Sequence, residues 1–374
     1  MSLLRRMRYR YDSTDGNAVE LLAGAETFYP RILEDIAAAQ HEVLLGTYLW
    51  EPDEVGQRFL EAACDAARRG LTVRVLLDGI GSHRLESEHL EALRSAGAQA
   101  VIHHALRFPL FDSRLFRRYH RKLILIDGQI AYTGGAGFAD SWATPPPTQW
   151  WDLMVRVRGP VLVPLRMLFS GDWKRTTRNR MSPLQAPPPE PVGDARIHPL
   201  ITFYSRRELM RRLLQAVSVA EHRVHIANAY FIPGFRLRRA LRKAASRGVD
   251  VRLVLPGPRT DHFAVWTAGR RHYHRLLKKG VRIYEFQRSM LHSKFAVVDD
   301  RWGYVGSSNL DSWSGRFNHE LDLGITTPGP LEELDQQFED DVRATREITL
   351  NQWQARPLSL KLLETFFGWF DPLL

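Results

Sequence analysis

The sequence predicts an α/β fold made of two similar halves, in which strands alternate with covering helices. Three observations support this prediction. The chain has 374 residues, which suggests two domains or one large one. A strand–helix–strand order occurs twice, and a polar motif of constant spacing follows it in each half. Strands that alternate with helices indicate a largely parallel sheet that is covered on its faces.

The first half opens this order with "AAQHEVLLGTYLW", residues 38–50, whose apolar run is typical of a buried strand. The helix "VGQRFLEAACDAARRG" follows, and Gly70 is expected to end it with left-handed backbone. The segment "LTVRVLLDG", residues 71–79, then predicts a second covered strand. Cys64 in the helix is expected to be buried. It is the single cysteine, which excludes an internal disulfide framework and favours a reducing compartment.

The second half repeats the order with different residues. "VAEHRVHIANAYF", residues 219–231, predicts a strand, and "FRLRRALRKAASRG" predicts a helix that ends at Gly248. "VDVRLVLPG", residues 249–257, predicts the next strand. The repeat length is about one domain, which is too long for a small solenoid repeat.

Both halves then carry the motif His-x-Lys-x4-Asp-x6-Gly-Gly/Ser. In the first half it consists of His120, Lys122, Asp127, Gly134 and Gly135. The second half supplies the equivalent residues His292, Lys294, Asp299, Gly306 and Ser307. A single His-x-Lys pair on a strand is usually a solvated edge. The same frame in matching places of a duplicated chain is difficult to produce by chance, so the motif indicates a functional site.

The residue types of the motif suit a phosphate group. Residues i and i+2 of a strand point to one face, so each histidine is expected beside its lysine. Lysine offers a compact charge to phosphate oxygens, and histidine can attack phosphorus or deliver a proton near neutral pH. This chemistry requires no metal or other cofactor, and we find no His/Cys cluster with metal-ligand spacing. Asp127 and Asp299 follow their strands and are expected to hold the turn rather than contact substrate.

A proline-rich segment divides the chain. "MSPLQAPPPEPVGDAR" predicts an extended linker over the surface. The predicted organisation is an N-terminal domain over 1–182, a linker over 183–194, a C-terminal domain over 195–350 and an amphipathic tail over 351–374.

The two motifs resemble the HKD motifs of the phospholipase D superfamily. The resemblance implies two phospholipase D-like α/β/α sandwich domains related by a pseudo-two-fold axis, with the active site at their interface. It also implies that Ser307 and Asn309 bind the substrate phosphate, while the glycine turn at Gly135 gives that phosphate room. Gly137 stands where relatives carry the asparagine matching Asn309, so one phosphate donor is missing or another group replaces it.

The resemblance further implies roles for the catalytic groups. His120 is expected to be the nucleophile, oriented by Asp152. His292, oriented by Glu320, is expected to act as general acid and then as the base that activates the acceptor. The two motif lysines would stabilise charge in the transition state. The reverse order of the two histidines stays open.

Further stretches, such as "NAYFIPGFRLRRAL" and "DDRWGYVGSSNLD", are similar to bacterial cardiolipin synthases, over roughly residues 18–350. The similarity is greatest to the short type, often called type B, which lacks N-terminal transmembrane helices. It implies a phosphatidyltransferase that moves a phosphatidyl group through a phosphohistidine to a phospholipid headgroup alcohol, such as that of phosphatidylglycerol.

The alternatives are a phospholipase D-type hydrolase, acting on phospholipid or less plausibly as a nuclease, and a non-enzymatic binding protein with a decayed site. Transfer and hydrolysis differ in whether water reaches the phosphohistidine. Nucleic acid is not an obligatory partner, and two motifs in one chain make an oligomer unnecessary for a complete site.

The net charge of +10 favours an anionic partner, either nucleic acid or a membrane rich in anionic lipid. No apolar run approaches the ~20 residues that a membrane span needs, and the N-terminus does not predict a signal peptide. With phospholipid substrates, these features predict a peripheral enzyme on an anionic membrane surface, at the cytoplasmic face of the bacterial inner membrane.

Two stretches combine features of a lipid interface, although each could instead be docked on the protein body. The first precedes the first motif, and its basic residues are Arg107, Arg114, Arg117, Arg118 and Arg121. The second is the C-terminal tail, with Phe366, Phe367, Trp369 and Phe370. Trp150 and Trp151 are predicted either to rim the site or to pack against the sheet.

Overall fold

The computed structural model describes residues 11–104, 117–203, 206–311 and 317–368. The elements of the first half are β1 (Thr14–Ala23), α1 (Ala25–Ala38), β2 (Glu42–Thr47), α2 (Glu54–Arg68), β3 (Thr72–Asp78), α3 (Ser87–Ser95), β4 (Gln99–His103), β5 (Leu123–Ile126), β6 (Ile130–Gly134), α4 (Asp140–Ala143), β7 (Trp150–Trp151), β8 (Leu153–Arg158) and α5 (Leu162–Thr177).

The second half repeats most of this order. Its elements are β9 (Ala195–Phe203), β10 (Arg206–Arg207), α6 (Glu208–Val219), β11 (Arg223–Asn228), α7 (Phe235–Ser246), β12 (Asp250–Pro256), α8 (Phe263–Arg270), α9 (Tyr273–Leu277), β13 (Arg282–Phe286), β14 (Met290–Leu291), β15 (Lys294–Val298), β16 (Trp302–Gly306), β17 (Glu320–Ile325), α10 (Pro328–Arg343), β18 (Thr345–Ile348), α11 (Leu350–Ala355) and α12 (Leu358–Gly368).

The strands of the two halves form one continuous sheet, joined at its centre by antiparallel pairing of β1 with β9. From this centre, the first half runs β1-β8-β6-β5-β2-β3-β4 and the second runs β9-β17-β16-β15-β11-β12-β13, with β18 added at the outer edge. The equivalent orders give the two halves their pseudo-two-fold relation. The predicted α/β fold of two similar halves is thus confirmed.

The prediction of a largely parallel sheet was wrong. Within the large sheet of the described residues, β2-β3-β4 and β11-β12-β13 pair in parallel, and the other ladders are antiparallel. Parallel neighbours need a crossover connection, which the helices after β2 and β11 supply. The motif strands β5 and β15 are instead followed by short turns into β6 and β16, and a short turn makes an antiparallel hairpin.

The repeated helices begin and end as the sequence predicted. Asp53 caps α2 by accepting a hydrogen bond from the Gly56 N–H, and Gly70 follows the helix with φ of 90°. Gly248 follows α7 in the same way, with φ of 92°. Only glycine adopts this backbone without strain. Cys64 is buried within α2, as expected.

The hydrophobic core on one face of the sheet spans both halves. Phe169 from α5 and Phe338 from α10 belong to the same cluster as Ile197 on β9 and Val155 on β8. The opposite face carries a separate core in each half, under α1 and α2 in the first and under α6 and α7 in the second. The shared core fixes the two halves against each other, which is necessary if both are to contribute to one site.

The chain between the halves carries no helix or strand over residues 178–194, all of which the structure describes. The predicted domain boundaries stay predictions. Within the described residues, no helix is long and apolar enough to cross a membrane.

Candidate active site

The ends of the motif strands meet between the halves because two short segments pair across the pseudo-two-fold axis. Strand β7 pairs in parallel with β14, so that Trp151 lies opposite Leu291. Tyr119 forms an equivalent parallel bridge with His319. The segment before each motif histidine therefore lies beside a segment of the other half. In both cases, the segment of the other half is followed by a buried carboxylate.

The first of these pairings brings Asp152 to His292. The His292 N–H donates to the Trp151 carbonyl at 2.7 Å, which places Asp152, the next residue, against the imidazole. Nδ1 of His292 lies 2.6 Å from Oδ2 of Asp152. A carboxylate only accepts, so Nδ1 carries the proton and Nε2 of the neutral ring carries the lone pair.

The second pairing brings Glu320 to His120 by the same geometry. The His120 N–H donates to the His319 carbonyl at 3.1 Å, and Glu320 is the next residue. Nδ1 of His120 lies 2.8 Å from Oε2 of Glu320. The second imidazole is thus held in the same tautomer as the first.

The predicted partners of the two histidines were therefore exchanged. We expected Asp152 to orient His120 and Glu320 to orient His292, but each carboxylate binds the histidine of the other half. The physical reason is the cross-axis pairing, which places each carboxylate on the edge facing the opposite motif. Motif spacing within one half carries no information about this pairing.

Both motif lysines contact their own histidines, as predicted. Nζ of Lys122 lies 3.1 Å from Nε2 of His120 and donates to the His120 carbonyl at 2.9 Å. Nζ of Lys294 lies 2.9 Å from Nδ1 of His292 and also donates to the His292 carbonyl. His120 and Lys122 lie in the extended chain before β5, whereas Lys294 is the first residue of β15. Both pairs still bring an imidazole beside an ammonium.

Burial favours the neutral forms of all four groups. It lowers the pKa of His292 to about 4, helped by Lys294 and opposed by Asp152. Burial likewise lowers the pKa of His120, against the opposing effect of Glu320. The pKa of Lys122 falls to about 7 and that of Lys294 to about 8, in both cases chiefly through burial. Both imidazoles are therefore neutral near pH 7, as a nitrogen nucleophile must be.

The carboxylates remain ionised. Burial acts to raise the pKa of Asp152, but Lys294 and His292 lower it overall. Burial acts on Glu320 in the same direction, and His120 and Lys122 again lower its pKa overall. Each carboxylate therefore stabilises the imidazolium that forms when its histidine accepts a proton.

One cavity of about 460 Å³ receives both motifs. Its lining residues are Tyr48, Leu49, Arg118, His120, Lys122, Gly135, Trp142, Trp150, Tyr230, Asp261, His262, Val265, His292, Asn309, Asp311 and Asn318. A larger groove of about 580 Å³ lies between α5 and the proline-rich segment, and no motif histidine or lysine lines it. The chemistry therefore points to the smaller cavity as the site.

Ser307 and Gly135 occupy equivalent positions in the two motifs but have different surroundings. We expected Ser307 to bind phosphate, but it is fully buried and its hydroxyl donates to Oε2 of Glu320 at 2.6 Å. It therefore supports the carboxylate that holds His120. Gly135 does line the cavity, and a Cβ there would lie 2.3 Å from Oδ1 of Asp152. Only glycine leaves room for that carboxylate.

Asn309 and Gly137 make the two halves differ at the cavity. Asn309 lines the cavity, as the prediction of a phosphate-binding amide requires. Gly137 leaves no space for an equivalent side chain, because a Cβ there would lie 2.5 Å from the Leu49 carbonyl oxygen. The first half thus offers no amide at this position.

The motif aspartates are structural, as predicted. Asp127 accepts hydrogen bonds from the N–H groups of Gln40, His41 and Glu42, at 2.8, 2.7 and 2.8 Å. Asp299 accepts three equivalent bonds from the main chain of 221–223, at 2.9 to 3.0 Å. Each aspartate ties the turn after its motif strand to the start of the neighbouring strand.

Sequence reasoning missed most of the aromatic wall around the histidines. Trp150 stacks on His292 with ring centroids 5.1 Å apart. Of its two predicted positions, the one at the site is therefore observed. Trp142 donates from Nε1 to Oδ2 of Asp152 at 3.0 Å. Tyr48 contacts His120 at 4.9 Å between centroids, and Tyr230 contacts His292 at 6.2 Å. Tyr48 and Tyr230 follow equivalent strands, β2 and β11, and this matching placement was the signal that could have found them.

Two arginines of the basic stretch before the first motif, Arg118 and Arg121, are buried. Arg121 is fully buried and pairs with Asp172, and it also donates from Nε to the Glu320 carbonyl at 3.1 Å. Arg118 is 5% exposed and pairs with Asp78 at 3.4 Å. Of the two predicted interpretations, packing on the protein body is the one observed for these two arginines, because both form buried ion pairs. Arg107 and Arg114 lie outside the described residues.

Trp151 packs against the body of the protein, where its Nε1 donates to Oδ1 of Asp341 at 2.8 Å. Among the described residues, no group of three or more His, Cys, Asp or Glu side chains could hold a metal ion.

Solved structures share this architecture. The phosphatidylserine synthase of Haemophilus influenzae Rd KW20 superposes with a TM-score of 0.69 at 16% identity, over 95% of this chain and 93% of that one. The polyphosphate kinase of Porphyromonas gingivalis gives a TM-score of 0.63 at 12% identity, over 95% of this chain and 53% of that one. At these identities the likeness shows the fold alone.

Sequence comparisons are more specific. A family model described as cardiolipin synthase, phospholipase D-like domain, matches residues 32–173 and 213–342. Cardiolipin synthase A of Pectobacterium atrosepticum is 34% identical over 375 residues, covering 96% of this chain and 76% of the relative. The Yersinia pseudotuberculosis protein of the same name is 32% identical over 383 residues, covering 98% of this chain and 78% of the relative. These relatives carry the A-type name, so the predicted likeness to the short B type is not supported by them. The two matched regions, each with its motif, and the identity over nearly the whole length place the chain in the cardiolipin synthase family of the phospholipase D superfamily.

Proposed function

We propose that this protein is a phosphatidyltransferase that moves a phosphatidyl group from one phospholipid to the headgroup hydroxyl of another, as a cardiolipin synthase does. The observation that carries the proposal is the pair of imidazoles lining one cavity, each fixed by a carboxylate from the other half. This arrangement provides two histidines for opposite roles at a single phosphate. The names of the relatives and of the family model support a phosphatidyl group as the one transferred.

In the first step, Nε2 of His120 attacks the phosphorus with its lone pair. The bond from phosphorus to the headgroup oxygen breaks with its electron pair, and His292 gives that oxygen a proton. The donor headgroup leaves as an alcohol, and a phosphatidyl group stays bonded to His120. Glu320 and Asp152 keep both reactive nitrogens aimed into the cavity.

In the second step, His292 accepts the proton of the acceptor hydroxyl. The acceptor oxygen bonds to phosphorus, and the bond from phosphorus to Nε2 breaks, returning the electron pair to His120. When phosphatidylglycerol is both donor and acceptor, the products are cardiolipin and glycerol. Lys122, Lys294 and Asn309 stabilise the negative phosphoryl oxygens during both steps.

Substrate binding raises the pKa values of the two motif lysines and of His292. A phosphodiester brings a negative charge against the buried lysines, and this charge raises their pKa values above the depressed ones of about 7 and 8. The same charge raises the pKa of His292, so that the imidazole can carry the proton that it delivers. The cavity is thus poised for an anionic substrate rather than a neutral one.

The test is incubation of the purified chain with phosphatidylglycerol vesicles, followed by mass spectrometry of the lipids. Cardiolipin is the expected product. Phosphatidic acid without cardiolipin would instead identify a phospholipase D-type hydrolase. No lipid product, together with cleavage of nucleic acid in a parallel assay, would identify a nuclease.

Variants connect the activity to the two motifs. His120→Ala and His292→Ala should each lower turnover by at least the ~10²–10⁴ that a general acid–base group supplies. His198→Ala is the matched control, because His198 bonds Glu208 at 3.2 Å outside the cavity. Phosphatidyl label trapped on His120 would support the assigned order, and label on His292 would reverse it.

The lipid substrates also favour a membrane-surface location. We propose that the protein works from the surface of an anionic membrane, consistent with its net charge of +10. The cytoplasmic face stays a prediction from the sequence.

A further inference from the structure

Helix α12, residues Leu358–Gly368, turns an apolar stripe away from the protein. The stripe consists of Leu358, Leu362 and Phe366, whose exposed fractions are 74%, 72% and 50%. Their four-residue spacing places them on one side of the helix. A surface helix normally buries this kind of side and presents its polar side to water.

The opposite side of α12 is held by a buried carboxylate. The Glu364 side chain is 4% exposed, and Arg356 donates to its Oε2 at 2.6 Å from a terminal nitrogen. Arg270, on α8, donates from Nε to Oε1 of the same carboxylate at 3.5 Å. The orientation of the helix is therefore fixed by ion pairs, and Leu358 and Leu362 point outward as a result.

Helix α12 packs against α8, which contributes to one wall of the active-site cavity. Phe263, at the start of α8, is 49% exposed and meets Phe367 of α12 at 6.2 Å between ring centroids. Val265 on α8, and His262 just before it, line the cavity. The exposed apolar surface thus continues from α12 through Phe263 to the element that forms one wall of the site.

The size of the cavity explains why an apolar surface belongs there. A volume of about 460 Å³ holds a ligand of drug size, such as a phosphodiester with its headgroups. The acyl chains of one leaflet extend through half of a hydrocarbon core ~30 Å thick, so they do not fit with the headgroup. They must remain in the bilayer while the phosphate enters, and the mouth must therefore meet the bilayer surface.

We infer that the apolar stripe of α12, together with Phe263, docks into the surface of a lipid bilayer and places the cavity mouth against it. The inference rests on the proposed function for its choice of partner. Apolar side chains that enter the acyl boundary, with basic groups at the headgroups, form the usual peripheral attachment. A second copy of this chain is the competing occupant. The stripe and Phe263 present only four side chains, whereas a stable dimer buries roughly 800 Å² on each partner.

Vesicle binding by the full chain tests the stripe. We compare Leu358→Asn/Leu362→Asn with Val163→Asn/Met167→Asn on α5, whose side chains are 48% and 52% exposed at the same four-residue spacing. Binding to vesicles of phosphatidylglycerol and phosphatidylethanolamine should weaken roughly tenfold per leucine in the first variant, from the apolar area lost. The α5 control should bind like the unmodified chain. Equal binding by all three proteins would overturn the inference.

A labelled variant keeps the test independent of any folding defect. Cys64→Ala removes the single cysteine, and Leu362→Cys or Met167→Cys then carries an environment-sensitive fluorophore. The emission of the label at 362 should shift to the blue on vesicles, and that of the label at 167 should not. A blue shift at 362 without vesicles that grows with protein concentration, matched by a dimer in sedimentation, would assign the stripe to a second copy and overturn the inference.

Turnover of a soluble, short-chain phosphatidylglycerol separates this inference from the proposed function. The stripe variant should retain that turnover while losing turnover of vesicle lipid. If the unmodified chain turns over neither substrate but still binds vesicles through α12, the proposed function fails and the docking surface stands.

Discussion

The exchanged carboxylates make a quantitative prediction about which residues depend on each other. Glu320 should couple energetically to His120 and hardly to His292. We test this with the single variants Glu320→Ala, His120→Ala and His292→Ala and with the two double variants that contain Glu320→Ala. A double-mutant cycle removes the cost of the cavities and isolates the pairwise energy.

The structure gives the expected size of the coupling. The distance from Nδ1 of His120 to Oε2 of Glu320 is 2.8 Å, and the Glu320 side chain is fully buried. A hydrogen bond to a charged group contributes about 1.5–3 kcal/mol to the free energy of unfolding. The Glu320–His120 coupling should fall in that range. No hydrogen bond joins Glu320 to His292 within the described residues, so their coupling should stay below about 0.5 kcal/mol, as for sites that do not interact.

The assay is urea unfolding of each variant at pH 7.5, followed by tryptophan fluorescence and circular dichroism. The Asp152→Ala cycle with His292→Ala is the reciprocal experiment and should show coupling of similar size, because that pair lies at 2.6 Å. A Glu320 coupling that is larger with His292 than with His120 would refute the crossed arrangement. It would also restore the pairing within each half that the sequence suggested.

Three further predictions follow from the site. The free energy of unfolding should fall as pH decreases from 6.5 to about 4, because His292 stays neutral in the folded protein while the unfolded chain binds a proton. His292→Asn should flatten this part of the plot of unfolding free energy against pH. Asn309→Ala should raise KM for the phospholipid, whereas Ser307→Ala should lower kcat with little change in KM, because that hydroxyl bonds Glu320. Steady-state kinetics on short-chain lipid would check both, and equal effects on KM would contradict the distinction. Gly137→Asn should lower the free energy of unfolding by roughly 1–3 kcal/mol, because the new side chain overpacks against the Leu49 carbonyl. We do not expect it to improve activity. An unchanged urea midpoint would show that the backbone adjusts.

Much of the fold was predictable because short sequence patterns determine it. The apolar runs of β2, β3, β11 and β12 and the glycines after α2 and α7 lie where the sequence placed them. Strand direction was not predictable from the same patterns, because an apolar run is equally compatible with a parallel or an antiparallel neighbour. The pairing of β1 with β9 joins the halves into one sheet, and it depends on the packing of the whole chain rather than on any short segment.

Some features of the candidate site were likewise predictable from the sequence, and others were not. The repeated motif was enough to identify both His–Lys pairs and both structural aspartates. The carboxylates were also identified, but not their partners, since His120 and Glu320 are 200 residues apart and His292 and Asp152 are 140 apart. Phosphate binding by Ser307 stays a prediction, and the structure adds that its hydroxyl bonds the carboxylate that holds His120. Sequence spacing does not distinguish these two roles.

The two carboxylates also explain a difference between the halves that looks like a defect in the sequence alone. Oε2 of Glu320 accepts from His120 and from the Ser307 hydroxyl, while Oδ2 of Asp152 accepts from His292 and from Nε1 of Trp142. Each oxygen that holds a histidine therefore receives one further donor. The first half, which has glycine where Ser307 stands, obtains its donor from a tryptophan instead.

The support of the two histidines is thus equivalent, and the asymmetry of the site lies elsewhere. Trp150 stacks on His292 and Trp142 meets the same ring edge-on, at 5.5 Å between centroids, whereas His120 has Tyr48 alone among the aromatic rings that line the cavity. An apolar wall disfavours a charged imidazole, in keeping with the pKa of about 4 for His292. In the proposed order, an anionic phosphate raises the pKa of His292, which then passes a proton to the leaving oxygen and takes one from the acceptor. The proposed order, with His120 as the carrier of the phosphatidyl group, is decided by whether trapped label is found on His120 or on His292.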